Sequence, residues 1–321
     1  MADTGERPAP ESSEGGEPEP VRWSVGRRLE FIDFRLFWDG RVNRSDLVSK
    51  FRISVPQASL DLGRYLDAAP GNTRYDHAEK TYVALPSFAP RFMRLSAGRL
   101  LVQLRALVTG LITPADTWFS YVPPVGVVPD LGQSPDPQRL RAVLRAIRDR
   151  SALEIVYRSL SAAEPGRRYI APYALAHDGF RWNVRAWCEA NSEFRDFLLT
   201  RIVEVGECRE SRLVEPELDA EWTTPFTMRI GPHPRLSAEQ RTAVELDYGM
   251  SEGVLEVPTT VYLAWYLTRR LLLDLPDQEL TAERRQITLL NRQDLADAQR
   301  EAKDRTAIST RSSLPVSRKR A

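Results

Sequence analysis

The chain has few of the residues on which metal and redox sites depend. Only two cysteines and three histidines occur among its 321 residues. Cys188 and Cys208 are too few for a disulfide framework and form no CxxC pair, and the histidines lack a zinc-binding spacing such as HExxH. The sequence therefore predicts no metal and no other cofactor, and it is typical of a reduced, cytoplasmic compartment.

Long hydrophobic runs are absent as well. No run approaches the about 20 apolar residues that a membrane-spanning helix needs, and the N-terminus has no apolar segment like that of a signal peptide. Residues 1–20 hold six acidic residues and four prolines, a composition that predicts a disordered tail. We therefore expect no membrane partner.

Catalytic motifs are equally scarce. There is no glycine-rich phosphate loop and no GxSxG elbow, and the plentiful carboxylates are scattered. The sequence therefore predicts that the protein is not an enzyme. Lysine and arginine (45) nearly balance aspartate and glutamate (44), so the whole-chain charge does not decide whether nucleic acid is a partner, and the local distribution of charge has to.

The N-terminal region has the pattern of a winged helix-turn-helix domain, which we place at residues 21–88. Helical spacing of apolar residues predicts a first helix ending near Gly40. Asn43 is a plausible cap for a second helix ending near Phe51, and Ser54 caps a third that begins with Val55. Residues 69–84 read as a turn and a strand pair, which would form the wing.

The third helix divides into an inner and an outer face. Ala58, Leu62, Tyr65 and Leu66 are expected to pack inward, so the outer face combines apolar and polar residues that suit the edges of bases in a major groove. The alternative is an ordinary solvated surface. The residues predicted to contact double-stranded DNA are Arg44, Ser54, Pro56, Gln57, Ser59, Leu60, Arg64, Asn72, Arg74 and Lys80.

Further regions follow from composition. Residues 89–135 combine a helical apolar pattern with a proline-rich stretch and form a connector. Residues 136–212 read as a helix followed by an antiparallel β-sheet, and residues 213–290 as a small α+β unit. Residues 291–321 are polar with a basic end, which predicts a second disordered tail.

A predicted hairpin at residues 179–202 is rich in arginine and aromatic residues. Its first strand alternates with period two, which places Trp182, Val184 and Cys188 on a buried face with Phe180 and Ala186. The opposite, exposed face would hold Arg181, Asn183, Arg185 and Trp187. Arginine forks beside an aromatic plane suit planar anionic ligands.

The same hairpin resembles a WYL domain, most closely that of the phage-defence regulators called BrxR and CapW. The naming tripeptide Trp-Tyr-Leu appears as Trp182-Asn183-Val184, so Asn183 departs from the usual aromatic residue. Gln57-Ala58-Ser59 and Tyr75-Asp76 are similar to the winged domain of these regulators. The wider match comprises Arg168, Pro172-Tyr173-Ala174-Leu175, residues 179–188, Phe194-Arg195-Asp196-Phe197 and Arg201-Ile202.

The resemblance implies an α+β multidomain protein. It would combine the winged helix-turn-helix with an Sm-like, SH3-type β-barrel at residues 136–212 and a C-terminal dimerisation extension at residues 213–290. A homodimer would repress a phage-defence operon at a pseudo-palindromic operator in the nucleoid, and the barrel would sense a nucleotide or oligonucleotide. The predicted ligand-binding residues are Tyr157, Arg168, Tyr173, Arg181, Asn183, Arg185, Trp187, Arg195 and Arg201.

Alternatives to this interpretation stay open at the level of sequence. Arg185 or Arg201 could pair with Asp196, Glu154 or Glu204 in a purely structural role. The regulator could activate transcription rather than repress it. The barrel could also be the main binding surface of an accessory protein for RNA or single-stranded DNA.

Overall fold

The computed structural model describes residues 25–129, 131–132, 134–210, 215–276 and 279–313. The tail predicted at residues 1–20 lies outside the described residues. The chain divides into two compact units, residues 1–129 and 130–321. Within the described ranges, no helix combines the length and the apolar character that crossing a membrane requires.

Local capping signals begin the helices of the first unit as predicted. The Asn43 side chain accepts the Asp46 N–H at 3.0 Å, while the Asp46 carboxylate accepts the Asn43 N–H at 2.8 Å. Ser54 Oγ accepts the Gln57 N–H at 3.3 Å. These caps satisfy N–H groups that have no partner within the helix. The unit comprises α1 (Val25–Asp39), β1 (Arg41–Val42), α2 (Arg44–Phe51), α3 (Val55–Ala68), β2 (Thr73–Asp76), β3 (Thr81–Ala84) and α4 (Ala97–Val108).

The predicted wing is confirmed. Strands β2 and β3 pair in antiparallel register, with Tyr75 opposite Tyr82, and β1 adds to the other side of β3 in the order β1-β3-β2. Arg52, between α2 and α3, has φ of 51°, which allows the tight turn of the helix-turn-helix. The first unit is therefore a three-helix fold with a wing.

Buried polar contacts hold α1 against α3. Arg28 Nε donates to Asp61 Oδ2 at 2.6 Å, and both side chains are buried. Asp33, also buried, accepts the Tyr65 hydroxyl at 2.6 Å and the Met93 N–H at 3.1 Å. Since a buried charge needs compensating partners, these contacts fix the angle at which α3 crosses α1.

The connector packs on the winged unit and extends it beyond the predicted boundary at residue 88. Its helix, α4, is present as the apolar spacing predicts. Further along, Lys50 of α2 donates to the Ala115 carbonyl and, at 2.7 Å, to the Thr117 carbonyl. Trp118 lies edge-on to Phe31 and to Phe34, with ring centroids 5.8 and 5.6 Å apart.

The second unit begins with a helix on a five-stranded antiparallel sheet. The strand order is β7-β6-β5-β4-β8, and Val143 and Ala146 of the helix share a core with Leu153 and Ile155. This pairing is that of an open sheet, so the barrel stays a prediction. The elements are α5 (Pro137–Arg148), β4 (Ser151–Tyr157), β5 (Gly166–His177), β6 (Trp182–Cys188), β7 (Glu193–Leu198) and β8 (Ile202–Glu210).

The prediction that Asn183, Arg185 and Trp187 form an exposed face of β6 is wrong. Trp187 has only 2% of its surface exposed, and Asn183 and Arg185 are also buried. Phe180 and Trp182, expected in the core, are exposed. The alternation fails because β6 is a central strand covered on both sides, by the core beneath α5 on one face and by the C-terminal part of the unit on the other.

A second, three-stranded sheet of order β10-β9-β11 organises the C-terminal part. Met228 and Ile230 of its central strand pack in a core with Val244 and Ala264. The part confirms the predicted α+β unit. Its elements are α6 (Ala220–Thr223), β9 (Pro225–Pro232), α7 (Ala238–Tyr248), β10 (Leu255–Thr260), α8 (Val261–Arg270), α9 (Ala282–Arg285), β11 (Ile287–Leu289) and α10 (Arg292–Ser313).

Helix α10 corrects the tail predicted at residues 291–321. Several of its contacts use small side chains, which do not give the polar segment a recognisable apolar pattern. Ala302 packs with Ala220 and Val261, and Thr306 Oγ1 accepts the Ala220 N–H at 3.0 Å. Residues 314–321 of the predicted tail lie outside the described residues.

We predict that Asp61→Ala lowers the free energy of unfolding of the first unit by about 3–5 kcal/mol, because it removes the buried carboxylate that Arg28 binds. Urea denaturation followed by tryptophan fluorescence measures the loss. Asp67→Ala, at an exposed position of the same helix, is the control and should change stability by less than about 0.5 kcal/mol. A loss below about 1 kcal/mol for Asp61→Ala would contradict the prediction.

Candidate nucleic-acid interface and sensor site

The outer face of α3 is available to a partner. Val55 and Leu60 are 54% and 51% exposed, Pro56 is exposed, and Gln57 and Ser59 are half-buried. Ala58, Leu62 and Tyr65 pack inward as predicted. Exposed apolar side chains beside a half-exposed amide form a surface that can meet thymine methyl groups and an adenine edge in a major groove.

Asp61 orients two of the predicted DNA contacts. Its Oδ1 accepts Gln57 Nε2 at 3.0 Å and Arg64 Nη1 at 3.3 Å, while its Oδ2 binds Arg28. One of the two amide N–H donors of Gln57 is thereby used. Sequence reasoning missed this role of Asp61, although its position one turn after Gln57 could have signalled it.

Asn72 is not a DNA contact, contrary to the prediction. It is buried, its Nδ2 donates to the Ala89 carbonyl at 2.7 Å, and its Oδ1 accepts the Ala89 N–H at 3.1 Å. Its amide therefore holds the chain after the wing in place. An asparagine in a turn is chemically suited to either role, so sequence alone could not decide.

The remaining predicted contacts stay at the surface. Arg44, Ser54, Arg64, Arg74 and Lys80 are exposed. The Arg74 guanidinium lies 3.8 Å from the Asp76 carboxylate, and both belong to the wing. Exposed cations of this kind can neutralise phosphates, which positions a domain on DNA without specifying sequence.

Arg185 lies at the centre of a buried cluster of carboxylates. It is 5% exposed. Its Nε and Nη2 bind the two oxygens of Asp219 at 2.7 and 3.2 Å, Nη2 binds Glu221 at 3.0 Å, and Nη1 lies 3.4 Å from Asp196. The Tyr262 ring lies 4.9 Å from the guanidinium carbon. We call Arg185, Asp196, Asp219 and Glu221 the Arg185 cluster.

Tyrosine hydroxyls complete this cluster. Tyr173 donates to Asp219, and Tyr262 and Tyr266 donate to Asp196 at 2.9 and 2.8 Å. Burial raises the pKa of all three hydroxyls, and the neighbouring carboxylates raise it further. For Arg185, burial lowers the pKa, but the hydrogen bonds with Asp219 and the charge of Asp196 outweigh it and raise the pKa overall.

The cluster overturns part of the predicted ligand site. Arg185 and Tyr173 are engaged by internal carboxylates, and Trp187 packs against Phe194 with ring centroids 5.2 Å apart. The structural alternative, with Asp196 among the partners, is therefore confirmed for Arg185. The partners Asp219 and Tyr262 lie far along the chain, so no local pattern could have revealed them.

Two other predicted ligand residues are held near turns. Arg181 Nε lies 3.3 Å from Asp178, and Arg195 binds Glu193 at 3.1 Å and Asn191 at 3.0 Å. Both side chains are largely exposed, and neither pair brings them to a common centre. They are ordinary surface ion pairs of low energy.

Of the last predicted residues, Tyr157 and Arg168 lie side by side at one end of the five-stranded sheet, and the backbone of Arg201 lies near that of Tyr157. Arg168 is opposite Ile155 in the β4–β5 ladder, so it lies on the same face as Tyr157, and its guanidinium carbon is 5.9 Å from that ring. Arg201 is half-exposed next to Ile202, the partner of Tyr157 in β8. We call Tyr157, Arg168 and Arg201 the sheet-end cluster.

One unused hydrogen-bonding group accompanies this cluster. Within the described residues, the buried Arg168 Nε has no hydrogen-bond partner, while the Tyr157 hydroxyl accepts the Leu198 N–H at 3.1 Å. A buried donor without a partner is costly, so an acceptor placed at Arg168 would be stabilising. Among the same residues, the buried Asn183 Nδ2 also has no partner, but Asn183 lies on the face of β6 that holds Arg185, opposite the face of Val184 and Tyr157.

Comparison with known families matches three segments of the chain. Residues 24–106 match the winged helix-turn-helix domain of the BrxR transcriptional regulator, residues 138–206 match the WYL domain, and residues 225–295 match the BrxR C-terminal dimerization domain. The chain is thus a WYL-domain transcriptional regulator of the BrxR type.

Similarity to individual proteins identifies the family to which the chain belongs. The DNA-binding transcriptional repressor CapW of Stenotrophomonas maltophilia is 42% identical over 79% of this chain and 85% of its own length. CapW of Pseudomonas aeruginosa is 39% identical, and that of Escherichia coli strain KTE188 is 37% identical, each over 86% of this chain and 92% of the relative. The chain belongs to the CapW family.

We predict that Arg185→Met lowers the free energy of unfolding of the second unit by about 3–5 kcal/mol, because three carboxylates lose their buried counter-charge. Urea denaturation measures it. Arg195→Met removes an exposed guanidinium from the neighbouring strand and should cost less than about 0.5 kcal/mol. Unchanged or increased stability of Arg185→Met would contradict a structural role.

We predict that Tyr65, Tyr173, Tyr262 and Tyr266 stay protonated in the folded protein at the pH where a tyrosine ordinarily ionises. Their pKa values in the folded protein lie above the ordinary value of about 10, so their contribution to stability is complete below that pH and is lost as pH rises further. A spectrophotometric titration at alkaline pH should show these four hydroxyls ionising only as the protein unfolds. Ionisation of all four near pH 10 in folded protein would refute this.

Proposed function

We propose that the protein is a homodimeric, sequence-specific DNA-binding repressor of a phage-defence operon, located in the cytoplasm with the nucleoid. The observation that carries the proposal is the outer face of α3, where Val55, Pro56 and Leu60 are exposed on a helix that is capped and packed as a recognition helix. Membership of the CapW family and the match to a dimerization domain support the same conclusion.

Side chains of α3 would read the DNA sequence, and basic and polar side chains around this helix would supply most of the affinity. Gln57 would hydrogen-bond an adenine edge while Asp61 holds its amide, and Leu60 would contact a thymine methyl group. Arg44, Ser54, Arg64, Arg74 and Lys80 would bind phosphates. A twofold dimer presents two such helices, so the operator would be pseudo-palindromic.

The sensor site we propose is the sheet-end cluster, not Arg185. Arg168 and Arg201 offer guanidinium groups, and Tyr157 offers a ring and a hydroxyl. This set suits a planar anion with many acceptors, such as a nucleotide or a short nucleic acid. The five-stranded sheet with α5 would correspond to the Sm-like barrel of the WYL domain.

Coupling would require the ligand to bind one form of the dimer better than the other. The Arg185 cluster supports a route for this preference within the second unit, since it connects β6 and β7 with α6 and α8. A ligand that shifts β7 through the hydrogen bond between the Tyr157 hydroxyl and the Leu198 N–H would therefore also shift the C-terminal part that matches the dimerization domain.

We predict that two substitutions in the first unit affect DNA binding differently. Gln57→Ala should lower the preference for the operator over random duplex by about 1–3 kcal/mol. Arg74→Gln should weaken binding to both and reduce the slope of log K against log salt by about 0.9 per protomer. Gel shifts on the DNA upstream of the gene's own operon measure both. Equal losses on operator and random DNA for Gln57→Ala would contradict base reading.

We predict that the effector response depends on the sheet-end cluster. With the operator complex as the assay, short single-stranded DNA and ATP serve as probes, and the one that releases the wild-type protein is titrated against the variants. Arg168→Met and Arg201→Met should each raise the half-releasing concentration at least about tenfold, the effect of losing one charge-assisted hydrogen bond. Arg181→Met is the matched control. Sensing at this site is refuted if neither probe releases wild-type protein, or if the control and the two variants respond alike.

A further inference from the structure

Helix α5 carries an arginine row outside the two sites described above. Its residues Pro137–Arg148 include four arginines and no acidic residue. Arg141, Arg145 and Arg148 recur at intervals of four and three, which places them on one face, while Val143 and Ala146 are buried beneath the helix. The fourth, Arg139, is engaged, since its Nη1 donates to the Ile202 carbonyl at 3.0 Å.

The positive charge of this row is poorly compensated. Arg148 binds its neighbour Asp149 at 2.7 Å. In the part of the chain that the structure describes, Arg141 and Arg145 have no ion pair and are exposed. The charge of Arg145 contributes to the lowered pKa of Asp149, but that carboxylate is already bound by Arg148. Like charges three and four residues apart destabilise a helix, so the row has a cost that intramolecular contacts do not offset.

Exposed apolar side chains accompany the row. Pro137, Leu140 and Leu144 line the same open surface as Arg141, Arg145 and Arg148. Leu144 is 47% exposed although it lies in the middle of a helix. The surface therefore combines aliphatic and cationic side chains, a combination that accommodates a sugar-phosphate backbone.

We propose that the arginine row of α5 binds the phosphate backbone of DNA as a contact separate from the winged unit. From Arg141 to Arg148 the helix rises about 10.5 Å, and one DNA strand presents a phosphate about every 3.4 Å of axis, so the row spans about three phosphates. Arginine matches phosphate geometry with paired donors. Backbone contacts need no base sequence, so charge and spacing are sufficient.

This proposal rests on the DNA-binding function but not on base reading by α3 or on the sensor site. An acidic protein segment is the rival occupant. The DNA backbone is favoured because the row lacks any acidic residue that would set a register with a protein partner, and because the family already places this chain on DNA.

The test measures DNA affinity of the full-length protein by fluorescence anisotropy on a random-sequence 40-bp duplex from 50 to 200 mM salt. In Arg141→Gln/Arg145→Gln the slope of log K against log salt should fall by about 1.8 for each protomer whose row contacts the duplex, so affinity drops at least about tenfold less over this range than for the wild type. The matched control, Arg284→Gln/Arg311→Gln, removes two exposed charges elsewhere in the second unit and should keep the wild-type slope.

Circular dichroism melting at an unchanged midpoint establishes that the α5 variant is folded. A folded α5 variant with the wild-type slope would overturn the proposal, as would a control that loses as much slope. If base reading by α3 fails, the result is different. Gln57→Ala then leaves the operator preference unchanged, while the α5 variant still lowers the slope. A wild-type protein that binds no DNA would overturn both proposals together.

Discussion

The ion cluster around Arg185 is the constraint on which the second unit depends. A guanidinium removed from water is stable only when carboxylates and other acceptors replace its hydration, and here Asp196, Asp219 and Glu221 do so. One of these comes from the WYL sheet and two from the segment that follows it. The cluster therefore joins the sheet to the C-terminal part by charge as well as by packing. The Tyr262 ring covers the Arg185 guanidinium group.

Because Arg185 is bound by internal carboxylates, the proposed ligand site has to use other residues of the sheet. The arginine that sequence places nearest the centre of a ligand site is a structural residue, and a donor with unused hydrogen-bonding capacity, Arg168 Nε, lies at the sheet end instead. The proposed sensor site and the connection to the C-terminal part therefore use different residues of the sheet. In the first unit Asp61 has a comparable double role, since it is buried against Arg28 and also holds Gln57 at the surface.

Sequence predicted the parts of the structure that local chemistry determines. The caps Asn43 and Ser54 act within three residues of themselves, so the helix-turn-helix followed from the sequence directly. Period-two alternation failed in β6 because coverage of both faces depends on residues more than thirty positions away, such as Asp219. Helix α10 was missed because its packed surface uses alanine and threonine, which do not raise hydrophobicity. Asn72 shows a third limit, since the same side chain suits a turn, a phosphate and a buried carbonyl.

The most direct test of the central claim is a double-mutant cycle between Arg185 and Asp219, with Arg185→Met, Asp219→Asn and the pair measured by urea unfolding. If the two side chains form a buried, hydrogen-bonded pair, their coupling energy should exceed about 2 kcal/mol, because contacting groups in one network are not additive. Additive effects, with a coupling energy below about 0.5 kcal/mol, would show that Arg185 does not join the sheet to the C-terminal part.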